Sequence, residues 1–107
     1  MILYLSGPIT NDPEYKLKFD AAESYLTTWK NHVVLNPAVL PAGLNEYNDY
    51  LDIDLAMLEA ADGIVMLNGW KRSFGARGEL RAALKLGKKV FFGIENVPKE
   101  MCTVEFC

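Results

Sequence analysis

The chain has 107 residues, of which 50% are apolar, 23% charged and 11% aromatic, a composition typical of one globular domain that spans residues 1–107. A domain of this size folds around one modest core, so an active site must be shallow or shared between subunits. The 11 basic and 14 acidic residues leave a net charge of −3, which argues against binding to a nucleic acid polymer or an anionic membrane and favours a small-molecule or protein partner.

The cysteines and the apolar stretches bear on the cellular location of the protein. Cys102 and Cys107 lack the paired spacing of a zinc site, and a chain this rich in apolar residues needs no disulfide framework, so we expect reduced thiols. No stretch approaches the roughly 20 apolar residues of a membrane span, and the N-terminal residues lack the basic region of a signal peptide. These features predict a cytoplasmic location.

The first part of the chain predicts a buried strand followed by a helix. The apolar run 2–6 ends before Gly7 and predicts a central strand that is covered on both faces. Asp12 as N-cap and Pro13 in the first turn predict the start of a helix over 13–30. Its apolar residues step by three and four and predict one buried stripe, formed by Phe19, Ala22, Leu26 and Trp29.

Strands and helices alternate through the rest of the chain. The predicted elements are strands over 33–35, 63–67 and 89–92, helices over 48–61 and 75–86, and loops over 41–45 and 68–74. The pattern is weak beyond residue 93. This alternation predicts a small doubly wound α/β domain, flavodoxin-like or Rossmann-like, with a parallel sheet of four to five strands and helices on both faces. Such sheets bind ligands beyond the carboxyl ends of their strands, where the strand order reverses.

A carboxylate interrupts the apolar stripe of the second predicted helix. At about 100° per residue, Asp54 shares its face with Tyr50, Leu51, Leu58 and Ala61. Burial favours the neutral form of a carboxyl group, as a general acid requires. A buried aspartate that caps a nearby loop is the alternative.

The third predicted helix also turns a carboxylate inward. The residues on the face of Glu79 are all small or apolar, namely Gly75, Ala76, Ala82, Ala83 and Leu86. No basic residue of this helix shares the face, so the buried charge needs an explanation. An ionised carboxylate in a dry pocket suits a nucleophile toward an electron-poor carbon, and a glutamate bonded to loop amides is the alternative.

An anion site is predicted where the preceding loop enters this helix. The backbone N–H groups of residues 73–76, with the hydroxyl of the first of them, form a cradle. Lys71, Arg72 and Arg77 flank the cradle, and seven of the 11 basic residues lie within 71–89. This positive charge favours a ligand that carries phosphate, and a solvated basic helix is the alternative.

Metal chemistry has little support in the sequence. His32 is the one histidine, and we expect it to be structural or exposed. One histidine and two terminal cysteines predict neither a structural zinc site nor a histidine-rich metal centre, and no cofactor is expected. Any chemistry must therefore rest on carboxylates.

Three motifs follow one another at the predicted ligand edge. They are Tyr4-Leu5-Ser6-Gly7-Pro8-Ile9, Asp54 with Asp62 eight residues later, and Ser73-Phe74-Gly75-Ala76-Arg77-Gly78-Glu79. In this order they resemble the nucleoside 2-deoxyribosyltransferase superfamily. The resemblance covers most of residues 1–93 and is strongest to small, often phage-encoded or bacterial members similar to deoxynucleoside 5′-monophosphate N-glycosidases.

The resemblance implies roles for these residues. Glu79 would attack the anomeric carbon of a (deoxy)ribosyl group, and Asp54 would protonate the departing base. Water or a second base would then resolve the glycosyl-enzyme ester. Tyr4 would orient the nucleophile, and the turn Ser6-Gly7-Pro8-Ile9 would line the sugar site.

Within this resemblance, position 73 favours a nucleoside 5′-monophosphate as substrate. Base-exchanging members carry Asp six residues before the nucleophile, whereas monophosphate-cleaving N-glycosidases carry Ser, as this chain does at Ser73. A hydroxyl donates to phosphate without the repulsion of a carboxylate, and Gly75 belongs to the same cradle. The resemblance also implies a homo-oligomer, a dimer or larger.

The role of Trp70 and the class of function keep alternatives open. The chain is shorter than typical members and lacks a clear equivalent of the carboxyl-terminal segment that completes a neighbouring subunit's site. The resemblance therefore leaves recognition of the base open, and Trp70 either stacks on a base or packs against its loop. The alternative functions are a non-catalytic nucleotide-binding module and an NAD-type glycohydrolase, which also uses a buried glutamate.

Overall fold

The computed structural model describes residues 1–41 and 47–100 of the chain. The strands are β1 (Ile2–Ser6), β2 (Val33–Leu35), β3 (Gly63–Met66) and β4 (Lys89–Phe92). The helices are α1 (Tyr15–Thr28), α2 (Tyr47–Ala60) and α3 (Phe74–Lys85), and single 3₁₀ turns cover Pro37–Val39, Trp70–Arg72 and Ile94–Asn96. None of the helices within these ranges has the length and apolar character needed to cross a bilayer.

The four strands form one parallel sheet in the order β2-β1-β3-β4. β1 is central, and Tyr4 pairs with Ile64 of β3. The strand order reverses between β1 and β3, so their carboxyl ends at Ser6 and Met66 flank the crevice in which such sheets bind ligands. The predicted doubly wound α/β fold is confirmed, with four strands in the described part of the chain.

The alternation of β1 distributes its residues over two cores. Leu3 and Leu5 point to the face that α1 covers. Tyr4 lies between them and points to the opposite face, where it packs with Leu58 and Ala83 under α2 and α3. Helices therefore cover both faces of the sheet, as predicted.

Helix α1 buries only part of its predicted stripe. Phe19, Ala22 and Leu26 are buried, but Trp29 is 69% exposed, so the prediction that Trp29 belongs to the core is wrong. The helix ends at Thr28. At helical spacing Trp29 would lie roughly 80° around the axis from Phe19, at the margin of the buried stripe.

The predicted start of α1 is also wrong, by two residues. Asp12 does not cap the helix, because its carboxylate accepts a hydrogen bond from the Glu14 N–H at 3.0 Å and pairs with Lys18 at 2.8 Å. This local turn leaves Pro13 before the helix, which begins at Tyr15.

The other predicted elements agree with the structure to within one residue. Strands β1, β2 and β4 match, β3 ends one residue earlier, and α2 and α3 each lie one residue nearer the N-terminus. The predicted loop 68–74 contains a 3₁₀ turn. Beyond residue 93, the turn Ile94–Asn96 and the buried Val97 pack on the α1 side of the sheet. Of the predicted loop 41–45, only Pro41 lies within the described residues.

The residues considered for metal chemistry have different outcomes. His32 is structural, as expected: it is buried, its Nδ1 lies 3.1 Å from the Met1 amine, and its Nε2 lies 2.6 Å from the Pro98 carbonyl oxygen. Cys102 and Cys107 lie outside the described residues, so the reduced thiols stay a prediction. Across residues 1–41 and 47–100, no group of three or more His, Cys, Asp or Glu side chains is placed to hold a metal ion.

Candidate active site

Glu79 points into the interior from the second turn of α3, as its helix face predicts. Its Oε2 accepts a hydrogen bond from the Tyr4 hydroxyl at 2.5 Å, and its Oε1 accepts one from the Ser6 hydroxyl at 2.6 Å. Both donors are buried residues of β1. Two hydroxyls of the sheet, rather than loop amides, therefore hold the carboxylate.

The geometry of β1 and α3 explains why both donors reach one carboxylate. Tyr4 and Ser6 are two residues apart in a strand, so their side chains leave the same face of the sheet. Helix α3 covers this face, and its contact residues Ala76 and Ala83 are buried. Their small side chains allow a close approach of the helix, which brings Glu79 to the strand.

Burial and hydrogen bonding act on Glu79 in opposite directions. Removal from water raises the pKa of Glu79 above the usual glutamate value, and the hydrogen bonds from Ser6 and Tyr4 partly offset this rise. The pKa of the Tyr4 hydroxyl is raised chiefly by burial and further by the charge of Glu79, so Tyr4 stays protonated and acts as a donor. The two hydroxyls thus favour a negative charge that burial alone would disfavour.

Asp54 faces the same interior from α2. It shares a stripe with Leu58 and Ala61, which are both buried. Among the described residues, Oδ1 of Asp54 is buried without a hydrogen-bond partner, so none of their loop amides donates a hydrogen bond to this oxygen. Removal from water, and secondly the charge of Glu79, raises the pKa of Asp54 to about 7. The desolvated carboxyl group predicted from the helix pattern is confirmed.

A cavity of about 600 Å³ at the carboxyl end of β1 contains these groups. Tyr4, Asp54 and Glu79 line it together. The other predicted site residues that line it are Ser6, Gly7, Pro8, Ile9, Ser73 and Gly75. The structure therefore brings every predicted site residue except Trp70 to one cavity, at the crevice expected for this sheet.

Trp70 lies outside this cavity. It lines a neighbouring hollow of about 470 Å³ at the carboxyl ends of β3 and β4, and its ring centroid lies 5.5 Å from that of Phe92. The 3₁₀ turn that begins at Trp70 follows Gly69 and directs the indole toward β4. Trp70 does not line the cavity, and its ring lies beside that of Phe92 of β4 instead of against its own loop.

The predicted anion site lies at the N-terminus of α3. Ser73 caps this helix, because its Oγ accepts a hydrogen bond from the Ala76 N–H at 3.2 Å, and its hydroxyl proton stays available to a ligand. Of the three flanking cations, Arg72 lines the cavity, whereas Lys71 and Arg77 do not. Arg77 is exposed, in agreement with the alternative of a solvated basic helix for that residue.

Sequence reasoning missed the apolar side of the cavity. This side comprises Tyr15, Phe19, Pro37, Leu40, Tyr50 and Leu51. Tyr50 lies one turn before Asp54 on the same helix face, a signal that could have identified it, and its hydroxyl donates to the Pro41 carbonyl at 2.8 Å. Tyr15 and Leu40 carry no such signal, since their place depends on how the chain turns between elements.

Two solved structures are similar to this chain. A 2-desoxiribosyltransferase from Leishmania mexicana matches with a TM-score of 0.67 and 22% identity, over 85% of this chain and 62% of that chain. A 2-deoxyribosyltransferase from Bacillus psychrosaccharolyticus matches with a TM-score of 0.68 and 21% identity, over 98% of this chain and 79% of that chain. The present chain thus spans less than two thirds of the Leishmania protein. The resemblance to the nucleoside 2-deoxyribosyltransferase superfamily is confirmed at the level of the fold.

A family model matches the chain over most of its length. The model is described as "Domain of unknown function (DUF4406)", and it matches residues 1–92. This range contains β1 to β4, α1 to α3 and both cavity carboxylates, Asp54 and Glu79. No curated protein matches the chain. Because the family model covers residues 1–92 of the 107, the chain belongs to the DUF4406 family.

Proposed function

We propose that this protein cleaves the N-glycosidic bond of a (deoxy)nucleoside 5′-monophosphate through a covalent intermediate on Glu79. The observation that carries the proposal is a carboxylate held by two buried hydroxyls in a cavity that also contains Asp54, whose Oδ1 is unpaired among the described residues. The fold shared with two deoxyribosyltransferases supports transfer of a nucleoside's sugar as the general class of reaction.

In the first step, a carboxylate oxygen of Glu79 attacks C1′ of the sugar. The bond between this oxygen and C1′ forms as the C1′–N bond breaks, and the electron pair of the broken bond stays on the base. Asp54 donates a proton to the departing base, and its pKa of about 7 keeps this proton available near neutral pH. The products are a free base and a glycosyl ester on Glu79.

In the second step, water or a second base attacks C1′ and breaks the ester bond. Glu79 recovers its negative charge, and the proton of the attacking molecule passes to the carboxylate of Asp54, which returns to its starting form. Water yields a (deoxy)ribose 5-phosphate, and a base yields a new nucleotide. Tyr4 and Ser6 restore the orientation of the released carboxylate by donating to its two oxygens.

Ser73 and Arg72 support a substrate that carries a 5′-phosphate. Both line the cavity at the N-terminus of α3, where the helix dipole favours negative charge. Arg72 contributes a full positive charge, and the hydroxyl of Ser73 contributes a donor without repulsion. A free nucleoside would make no use of this group of donors.

We also propose that the active form is a homo-oligomer. Phe74 lines the cavity and is nevertheless 72% exposed. A second copy of the chain over this region would remove Phe74 from water and form a site shared between subunits, which is one of the two arrangements expected for a chain of this size. Sedimentation at the assay concentration tests this point, and a fully active monomer would contradict it. A nucleotide substrate also agrees with the predicted cytoplasmic location.

Incubation of the purified protein with each deoxynucleoside 5′-monophosphate, alone and with a second free base, tests the proposed reaction. Release of base alone indicates hydrolysis, and formation of a new nucleotide indicates transfer. Mass spectrometry of rapidly quenched protein should find the sugar phosphate on the peptide that contains Glu79. Glu79→Gln should lower kcat by about 10³-fold or more, whereas Glu59→Gln, at an exposed position outside the cavity, is the matched control. Full activity of Glu79→Gln would show that the covalent mechanism is wrong.

The alternative functions would give different results in the same assays. A nucleotide-binding module would bind a monophosphate tightly without turnover, although binding alone requires neither an inward nucleophile nor an acid on a separate helix. An NAD-type glycohydrolase would release nicotinamide in a direct cleavage assay and would leave the nucleoside 5′-monophosphates intact.

A further inference from the structure

A second hollow adjoins the cavity and has no part in the reaction proposed above. It measures about 470 Å³, lies at the carboxyl ends of β3 and β4, and is lined by Trp70, Phe92, Lys71 and Glu95 among others. Arg72 lines both this hollow and the cavity. The two spaces therefore meet at Arg72.

The backbone at Gly69 allows Arg72 to lie on this boundary. Gly69 has a φ of +85°, and an ideal Cβ there would lie 3.1 Å from Nη2 of Arg72 and 3.1 Å from Cγ of Pro8. The guanidinium group thus occupies space that a side chain at position 69 would take, beside a residue of the cavity wall. From this position Arg72 is able to contact phosphate groups in either space.

The hollow has an aromatic wall and a charged rim. The rings of Trp70 and Phe92 lie 5.5 Å apart at an angle of 35°, and Phe92 is 50% exposed. Lys71 Nζ lies 5.9 Å from the centroid of Trp70, and the carboxylate of Glu95 folds back over Gly93. Aromatic side chains stack on nucleobases, cations bind phosphate, and a carboxylate accepts hydrogen bonds from the exocyclic amine of a base.

We propose that this hollow binds a second nucleoside attached through the 5′-phosphate of the substrate, so that the protein accepts dinucleotides with a 5′,5′-pyrophosphate link as well as monophosphates. The inference rests on the proposed function for the placement of the first nucleoside in the cavity. The phosphates lie at Arg72 and Lys71, and the second base contacts Trp70 and Phe92. The bond that breaks is still the C1′–N bond in the cavity, and the rest of the dinucleotide stays on Glu79 until water or a base resolves the ester.

The fluorescence of Trp70 gives a direct readout of binding in the hollow. The chain has two tryptophans, and Trp29 is 69% exposed and lines neither space, so Trp29→Phe leaves Trp70 as the single tryptophan. The substitution Glu79→Gln, combined with Trp29→Phe, prevents cleavage of the ligand while it is titrated into the protein. We expect a pyrophosphate-linked dinucleotide to change the emission of Trp70 and to bind about fivefold or more tightly than the corresponding monophosphate.

Substitution of Phe92 tests the contact itself. Phe92→Ala and Phe92→Leu both remove the ring, and leucine keeps apolar volume beside Trp70, so a failure of the alanine variant to fold does not end the test. Each should lower the ratio of dinucleotide to monophosphate affinity by about fivefold or more. Equal affinities in the parent protein, or a ratio that neither substitution changes, would overturn the proposal.

Cleavage assays separate this inference from the proposed function. If monophosphates are cleaved but dinucleotide binding does not depend on Phe92, the second site is refuted and the proposed function stands. If dinucleotide binding depends on Phe92 but no nucleotide is cleaved by the protein with Glu79 intact, the proposed function is refuted and the second site stands.

Discussion

Replacement of Asp54 by asparagine should stabilise the protein at neutral and alkaline pH while it removes activity. The pKa of Asp54 is raised from 3.8 to about 7 in the folded protein, chiefly because burial disfavours the charge. The folded state therefore holds this proton more tightly than the unfolded state does. Stability from this group is fully present below about pH 4 and is lost as the pH rises through about 7. Asparagine has nearly the same shape and does not titrate, so the loss disappears.

The size of the effect follows from the shift in pKa. A difference of about three pKa units corresponds to about 4 kcal/mol at full weight. Asp54 keeps some contact with solvent, which screens its charge, so we expect about 1 to 2 kcal/mol in the free energy of unfolding. A change of 1 kcal/mol shifts the Tm of a domain of this size by roughly 4 to 8 °C. The Tm of Asp54→Asn relative to wild type should therefore rise by roughly 4 to 16 °C between pH 4 and pH 8.

Thermal unfolding followed by circular dichroism at half-unit steps from pH 4 to pH 8 measures this difference. Asp52→Asn is the matched control, because Asp52 lies on the same helix, is exposed, and loses the same charge. A gain in Tm that is equal at pH 4 and pH 8, or that Asp52→Asn reproduces, would refute the reasoning, since neither result depends on burial of the charge at position 54.

Three further substitutions test other parts of the structure. Tyr4→Phe removes one of the two donors to Glu79 and should therefore raise the pKa of Glu79. The acid limb of the pH profile of kcat should then move to higher pH. An unchanged acid limb would contradict the role of this hydrogen bond. Ser73→Ala removes the acceptor for the Ala76 N–H, and urea titration should show a loss of about 0.5 to 2 kcal/mol in the free energy of unfolding. The same variant should raise KM for a monophosphate more than KM for a free nucleoside, and equal increases would argue against phosphate binding there. Leu26→Ala leaves a cavity in the buried core under α1 and should lower the free energy of unfolding, measured by urea titration, by about 2 to 5 kcal/mol. The kcat per folded molecule should stay the same. A lower kcat at unchanged stability would be inconsistent with the position of Leu26 on the far side of the sheet.

The orientation of both carboxylates could be predicted from helix periodicity. Glu79 and Asp54 each have small or apolar neighbours at helical spacing, so the pattern alone indicates that both side chains point inward. The doubly wound order of the sheet then brings the end of β1 and the start of α3 to one crevice. The sequence did not show that Ser6, expected to line the sugar site, donates to Glu79, because this contact depends on the height of β1 relative to α3.

The two tryptophans lie just outside the regular α-helices, where helical spacing no longer predicts the direction of a side chain. Trp29 continues the spacing of the α1 stripe, but the helix ends at Thr28 and the side chain lies in solvent. Trp70 comes directly after Gly69, whose left-handed backbone conformation changes the direction of the chain before the 3₁₀ turn begins. Helical spacing relates residues only inside one regular element, so the direction of a side chain just beyond its end requires coordinates.

The donors to Glu79 belong to a strand that is paired along both of its edges. The backbone that carries Tyr4 and Ser6 cannot move away from Glu79 unless β1 separates from β2 or β3, so the position of both donors depends on the integrity of the whole sheet. In a denaturant titration, the proposed turnover should therefore persist until the cooperative transition and vanish with it. Residual enzymatic rate would then report the fraction of native molecules, even in extracts where no spectroscopic signal of this chain is visible.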